Sequence, residues 1–453
     1  MRFNRACAIL ALAFLTITIV GKLLWRWDNQ DFPQYYMGGV MARLAEWDSL
    51  YPIPKPGGLR NPGFFEDSDL KPRYAQEADR RGVGQRQVRY MQPPPFALLL
   101  VPLSCLTYKQ GYIVWTLGMM VCAWWVALLA GVVYRACLGR TTHGAGILTL
   151  LIAISPSAHR WVRVQNISAL MGVLVGVTVL GLLDQKPLRS ALATWLGGVA
   201  KYATGVFIPL FVAMRQWRAL LWLVAISAIS LIVSLLIMGR GPFDEYLQKV
   251  APTLKNTNTL VANQAIQGFV ARSIHGMAET QRTEELEQKL AGRPLIPPAA
   301  KLAITVAQVL TILLILGLMF SYWPRGPRFW VEHPPMLFAA ATALMCWLLI
   351  FSPMYWEHYT AYLAPLFGWA VWEATRSRAR LIVMLLAAAM LYAPLPVMFK
   401  RLPDPWAAHI LWATCLLLGL AIARLWNGQD ALLPLPSGEG RGEGALLTKT
   451  KPL

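Results

Sequence analysis

The side chains in this chain that could move a proton or grip an anion are few and far apart. Asp31 follows the first apolar run, and Arg163, Gln165 and Asn166 share a short polar gap. Lys201 closes another apolar run, Asn263 and Gln264 sit in a long loop, and Glu357-His358 follow Ser352-Pro353. A carboxylate at the edge of hydrocarbon is costly unless solvated or paired, which makes such residues functional candidates. Asp31 also suits an N-cap, because Pro33 follows it near the first turn of a helix expected from about Pro33 to Glu46, and Asp28 is a rival carboxylate. Arg163 offers a planar fork for phosphate oxygens and Lys201 a point charge, while either could simply snorkel to lipid headgroups. Arg160 competes with Arg163 for that role.

The elements that must bring these groups together are membrane helices. The chain has 453 residues, of which 56% are hydrophobic and 14% charged. Soluble domains carry about a quarter charged residues, so the composition points to a bilayer. Runs such as Ala8–Leu24, Leu220–Met238 and Leu302–Phe320 approach the roughly 20 apolar residues that a crossing requires. The first run lacks a small-residue cleavage site before Gly21-Lys22 and reads as a retained anchor. The net charge of +19 resides mainly in short loops, where it sets topology, and no basic-aromatic pattern points to nucleic acid.

Basic pairs (Arg2 and Arg5, Arg135 and Arg140, Lys186 and Arg189, Arg215 and Arg218, Arg325 and Arg328, Arg376 to Arg380) predict successive cytoplasmic loops. The resulting expectation is an all-α polytopic protein with about twelve crossings. They fall near 6–25, 112–134, 144–157, 168–183, 190–203, 205–214, 219–238, 301–322, 335–352, 359–375, 380–397 and 405–425. Residues 190–214 are too few for two full crossings and predict two half-helices or a re-entrant hairpin with Lys201 near its tip. Residues 1–426 then form one membrane domain with outer loops 26–111 and 239–300. The Pro93–Leu100 stretch is a juxtamembrane helix, and 427–453 are a disordered cytoplasmic tail. Every candidate residue lands on the outer face of the cytoplasmic membrane.

Asp31-Phe32-x-x-Tyr35-Tyr36, Leu50-Tyr51, Tyr90-x-x-Pro93-Pro94-x-Phe96, Gln165-Asn166 after Ser155-Pro156, Lys201, Asn263-Gln264-x-x-x-Gly268 and Ser352-Pro353-x-x-Trp356-Glu357-His358 occur in order. This ordered set resembles family 87 of the glycosyltransferases over roughly residues 20–365. The chain departs from the family's pattern at Val164, where a glycine is usual, and in a long insert at about 52–89. The resemblance implies a C-type glycosyltransferase fold and transfer of a sugar, mannose first, from a polyprenyl-phosphate donor to a lipid or glycan acceptor. It implies inversion, with Asp31 as general base and His358, protonated and held by Glu357, donating a hydrogen bond near the phosphate. Arg163 and Lys201 would hold the phosphate. Gln165, Asn166, Asn263 and Gln264 would meet sugar hydroxyls, or else cap helices, and Tyr35 and Tyr36 would stack on a sugar or belong to an aromatic belt. Residue types suggest no metal site and no cofactor beyond the donor, and the six cysteines form no ligand pattern. A transporter or lipid flippase would instead place its ionisable groups at the midplane of repeated halves, and a non-catalytic envelope scaffold would not need Asp31.

Overall fold

The computed structural model describes residues 2–25, 31–51, 70–83, 90–139, 142–255, 257, 259–260, 263–276, 290, 293–392 and 408–430. Asp28, most of the first-loop insert, the charged stretch 279–289 and the tail from 431 lie outside the described residues.

Among the described residues the named elements are helical. The helices of eight residues or more begin with α1 (Arg2–Trp25), α2 (Phe32–Arg43) and α3 (Pro72–Arg80). They continue with α4 (Tyr108–Leu138), α5 (His143–Ala153), α6 (Pro156–Arg163), α7 (Ser168–Leu183) and α8 (Pro187–Lys201). Next come α9 (Trp217–Met238), α10 (Ile266–His275), α11 (Pro298–Phe320) and α12 (Pro334–Phe351). The chain closes with α13 (Thr360–Ala374), α14 (Arg378–Tyr392) and α15 (His409–Asp430).

Over the described residues the segments expected to cross are largely helical, but length and apolarity qualify fewer of them than twelve. Among the described residues six helices are long and apolar enough to span a bilayer, or seven if α5 and α6, bent by 52°, count as one broken span. The bend has a local cause: Ser155 caps α6 with its side chain, and Pro156 at the first turn cannot continue the helix before it. The remaining apolar helices are short. α7 has 16 residues and α8 and α13 have 15 each, below the roughly 20 of a full crossing. After α8 the chain reverses at Tyr202, which takes a left-handed φ of 60°, into a 3-10 turn (Ala203–Phe207) and a six-residue helix (Ile208–Ala213). Residues 187–213 are thus two short helices joined by a 3-10 turn, with Lys201 ending the first.

α9 and α11 lie at the lipid-exposed periphery; Leu221, Val224, Leu236 and Leu302 are among their most exposed side chains. α12 and α13 are the opposite, buried along nearly their whole length. α13 packs on α4 at backbone distance: a Cβ at Gly368 would stand 2.1 Å from the Ala130 carbonyl oxygen. Such an approach is open only to glycine, and it fixes the helix whose start carries Glu357 and His358. α2 starts at Phe32, directly after Asp31, one residue ahead of the expected boundary. The short helix Pro94–Leu99 forms as the proline-led juxtamembrane element that the sequence suggests.

Candidate functional site

Asp31 precedes α2 but does not cap it: its side chain makes no capping hydrogen bond. Its Oδ2 instead accepts a hydrogen bond from Asn166 Nδ2 at 2.7 Å. The same amide's oxygen accepts from Lys201 Nζ at 2.7 Å and from Ser168 Oγ at 2.8 Å. Two donors on Oδ1 fix which end of the Asn166 amide faces the carboxylate. Asp31, Asn166 and Lys201, drawn from three distant parts of the chain, thus form one hydrogen-bonded line.

Backbone geometry aims this line. Between α6 and α7, Gln165 takes a left-handed φ of 57°, a conformation that costs a non-glycine residue roughly 1–3 kcal/mol. Its side chain is anchored by Nε2 donating to Thr116 Oγ1 at 2.6 Å, and its carbonyl accepts from Trp115 Nε1 at 2.9 Å. Trp115 stacks on Tyr35 at 4.8 Å between ring centroids, and the Tyr35 hydroxyl accepts from the Ile167 amide at 3.5 Å. The kinked residue is therefore held from both sides, and Asn166 beyond it is turned toward Asp31. Tyr36 points elsewhere, donating to the Leu106 carbonyl at 2.9 Å.

Lys201 Nζ lies 4.1 Å from the centroid of the Tyr359 ring, a cation–π contact. Tyr359 meets His358 edge-on at 4.8 Å. His358 is buried, and its Nε2 has no hydrogen-bond partner among the described residues. Burial, then the Lys201 and Arg160 charges, hold its imidazole well below the ordinary histidine range. These influences disfavour the expected imidazolium. Glu357 faces Arg160, with Nε 2.6 Å from Oε2.

The carboxyl of Asp31 moves the other way. Burial raises its pKa above the ordinary aspartate value, against the lowering effects of the Asn166 hydrogen bond and the Lys201 charge. A raised carboxylate near a cation but not in direct contact with it suits proton abstraction better than one locked in a salt bridge.

The remaining candidates are placed differently. Arg163 is exposed on α6, while Arg160, one turn earlier, takes the inward position beside Glu357. Asn263 and Gln264 are fully buried and occupied. Asn263 Oδ1 accepts from the Tyr355 amide at 3.0 Å and the Ala265 amide at 3.2 Å, while its Nδ2 donates to Thr257 Oγ1 at 3.1 Å. Gln264 Oε1 accepts from the Ile410 amide at 3.3 Å, and the Gln264 amide donates to the Tyr355 carbonyl at 2.6 Å. These amides fasten the second long loop to the segment leading into Glu357-His358, and a β-bridge joins Asn263 to Trp356. Sequence reasoning overlooked the supports of this region. Arg272 holds the carbonyls of Leu260 at 2.9 Å and Asn263 at 2.6 Å. Trp115, Thr116 and Ser168 went unremarked because they lie inside apolar helices, although an Asn-x-Ser spacing at 166–168 was available as a signal.

No group of three or more His, Cys, Asp or Glu able to hold a metal ion occurs among the described residues.

The sequence matches the family model described as glycosyltransferase family 87 over residues 90–353, more than half of the chain. The chain belongs to glycosyltransferase family 87. Glycosyl transfer is the activity that membership implies, and the apolar helices place this family 87 protein in a membrane. No curated protein matches the chain. The family match spans Gln165, Asn166, Lys201, Asn263 and Gln264. Asp31, Glu357 and His358 lie beyond its limits and are tied to it by the contacts described above.

Proposed function

We propose that this family 87 glycosyltransferase transfers a hexose, mannose in the first instance, from a polyprenyl-phosphate donor to a lipid or glycan acceptor at the outer face of the cytoplasmic membrane. The observation that carries this reading is the Asp31–Asn166–Lys201 line, a half-buried carboxylate one amide away from an ammonium. Asp31 takes the proton of an acceptor hydroxyl, and the freed oxygen attacks the anomeric carbon from the face opposite the phosphate. The new C–O bond forms as the bond to the phosphate oxygen breaks, and the polyprenyl phosphate leaves with that electron pair. A single displacement inverts the anomeric centre.

Lys201 spends one of its three N–H donors on Asn166, leaving donors for a departing phosphate oxygen. The neutral His358 ring, its buried Nε2 without a partner among the described residues, supplies a hydrogen bond to a substrate hydroxyl or phosphate oxygen. Asn166, first considered as a sugar contact, acts instead on the base. Arg160 joins Lys201 as a positive neighbour of the site.

The test is transfer from radiolabelled polyprenyl-phosphate sugars, beginning with mannose, to extracted membrane lipid by purified protein. The reading expects labelled, anomerically inverted product with the wild type and a large loss with Asp31→Asn. Product formed equally well by Asp31→Asn removes Asp31 as base. No transfer from any polyprenyl-phosphate sugar, together with substrate flux in sealed vesicles, would favour a transporter.

A further inference from the structure

α13 carries polar chemistry at both ends. Opposite His358, Glu373 is buried in its last turn and ion-paired with Arg380 at the start of α14. Arg424 of α15 has its Nε 3.7 Å from the second oxygen of the same carboxylate. The guanidinium carbons of Arg376 and Arg424 stand 5.2 and 5.4 Å from the centroid of the Trp372 ring. Two guanidiniums thus meet one carboxylate and a third stands at the neighbouring Trp372 ring, so the cluster is left with a surplus of positive charge. Guanidinium forks match phosphate oxygens, and cations near an indole face are held there at little cost.

A second feature adjoins it. From the residue after Arg380, α14 exposes Leu381 (42%), Ile382 (58%), Leu385 (54%) and Leu386 (47%). Their spacing of one, four and five residues puts them on one side of the helix. A cationic cluster therefore leads directly into an exposed apolar stripe, the pattern that an amphiphile with an anionic head would match. Fifteen residues of α13 at about 1.5 Å each separate this end from His358 by roughly 22 Å, so it lies apart from the Asp31 site.

We propose that Trp372, Arg376, Arg380 and Arg424 form a binding site for an anionic phospholipid, its phosphate between Arg376 and Arg424 and one acyl chain along the Leu381–Leu386 stripe. The apolar stripe is what favours a lipid headgroup over a free phosphate ion. Basic pockets between membrane helices bind anionic headgroups by the same physics.

The full-length protein in nanodiscs of phosphatidylcholine doped with phosphatidylglycerol tests this, with lipid retained on the protein counted by native mass spectrometry. The wild type is expected to retain phosphatidylglycerol in preference to phosphatidylcholine. Arg376→Gln, which leaves the Glu373 ion pairs intact, should weaken retention about fivefold, and Arg376→Glu should weaken it further. Leu385→Ser should lower retention of the lipid without altering any charge. Sugar transfer and thermal stability should stay at wild-type levels in Arg376→Gln. Equal retention by wild type, Arg376→Gln and Arg376→Glu would overturn the proposal. So would displacement of the lipid by inorganic phosphate that binds equally well to wild type and Leu385→Ser, which would make this a free-anion site.

Discussion

The two ends of α13 treat a carboxylate in opposite ways. At one end Glu373 is in direct contact with Arg380 and near Arg424, so its charge is neutralised within the protein. At the other, Asp31 faces Lys201 only through the amide of Asn166, and the histidine beside that lysine keeps a ring nitrogen unpaired among the described residues. A directly paired carboxylate is spent on structure. One held at a distance retains enough basicity to exchange a proton. The contrast separates a directly paired carboxylate from one held off its cation by an amide.

The largest expected effect sharpens that contrast at the Asp31 end. Asp31→Asn should lower sugar transfer by about 10²–10⁴, the usual worth of a general base, while leaving the thermal midpoint nearly unchanged. At the other end the order reverses. Glu373→Leu leaves Arg380 and Arg424 without their carboxylate and should cost about 3–5 kcal/mol of stability, read by denaturant unfolding in micelles, with little change in the transfer mechanism. If the two variants exchanged these signatures, the comparison would fail.

The pH dependence of transfer probes the amide relay. Burial raises the Asp31 pKa, and the Asn166 hydrogen bond and then the Lys201 charge lower it. The base form is lost as pH falls through this raised value, so the acid limb of the rate should lie above that of an ordinary aspartate. Deleting either lowering influence raises the pKa further. Asn166→Ala and Lys201→Met should therefore both move the acid limb to higher pH, Asn166→Ala by more. A limb that moves down, or stays fixed in both, would show that neither side chain acts on Asp31. The smallest effect concerns His358. Because its ring is already neutral at neutral pH, His358→Gln should reduce transfer without removing any limb between about pH 6 and 7, the range in which an ordinary histidine titrates.

Much of this arrangement was legible in the residue pattern. Loop charge and apolar runs placed Asp31, Asn166, Lys201 and His358 at one face although they are far apart in sequence, and the structure brings them together. The helical segments were legible too, because hydrophobic runs follow from the bilayer's requirements. Their status as full crossings was not. α7, α8 and α13 are short because protein, not lipid, surrounds much of their length, and composition cannot tell one apolar neighbour from another. The choice of Arg160 over Arg163 also escaped the sequence. The two are three residues apart on one helix, and only the fold decides which of them meets Glu357. Asn263 and Gln264 look like ligand contacts in a loop, yet the same hydrogen-bonding capacity is used up on the backbones of Tyr355 and Ile410. The protonation of His358 depends on burial and then on cations from α8 and α6, none of which a local motif contains.

On the proposed function, the two-ended amide of Asn166 would link donor arrival to acceptor activation. A phosphate that drew the Lys201 ammonium toward itself would leave Ser168 as the remaining donor fixing the asparagine, and would take a positive charge away from Asp31. Either change makes the aspartate hungrier for a proton. An enzyme wired in this way would sharpen its base when a carrier occupies the groove, and would keep it blunted toward water while the groove stands empty.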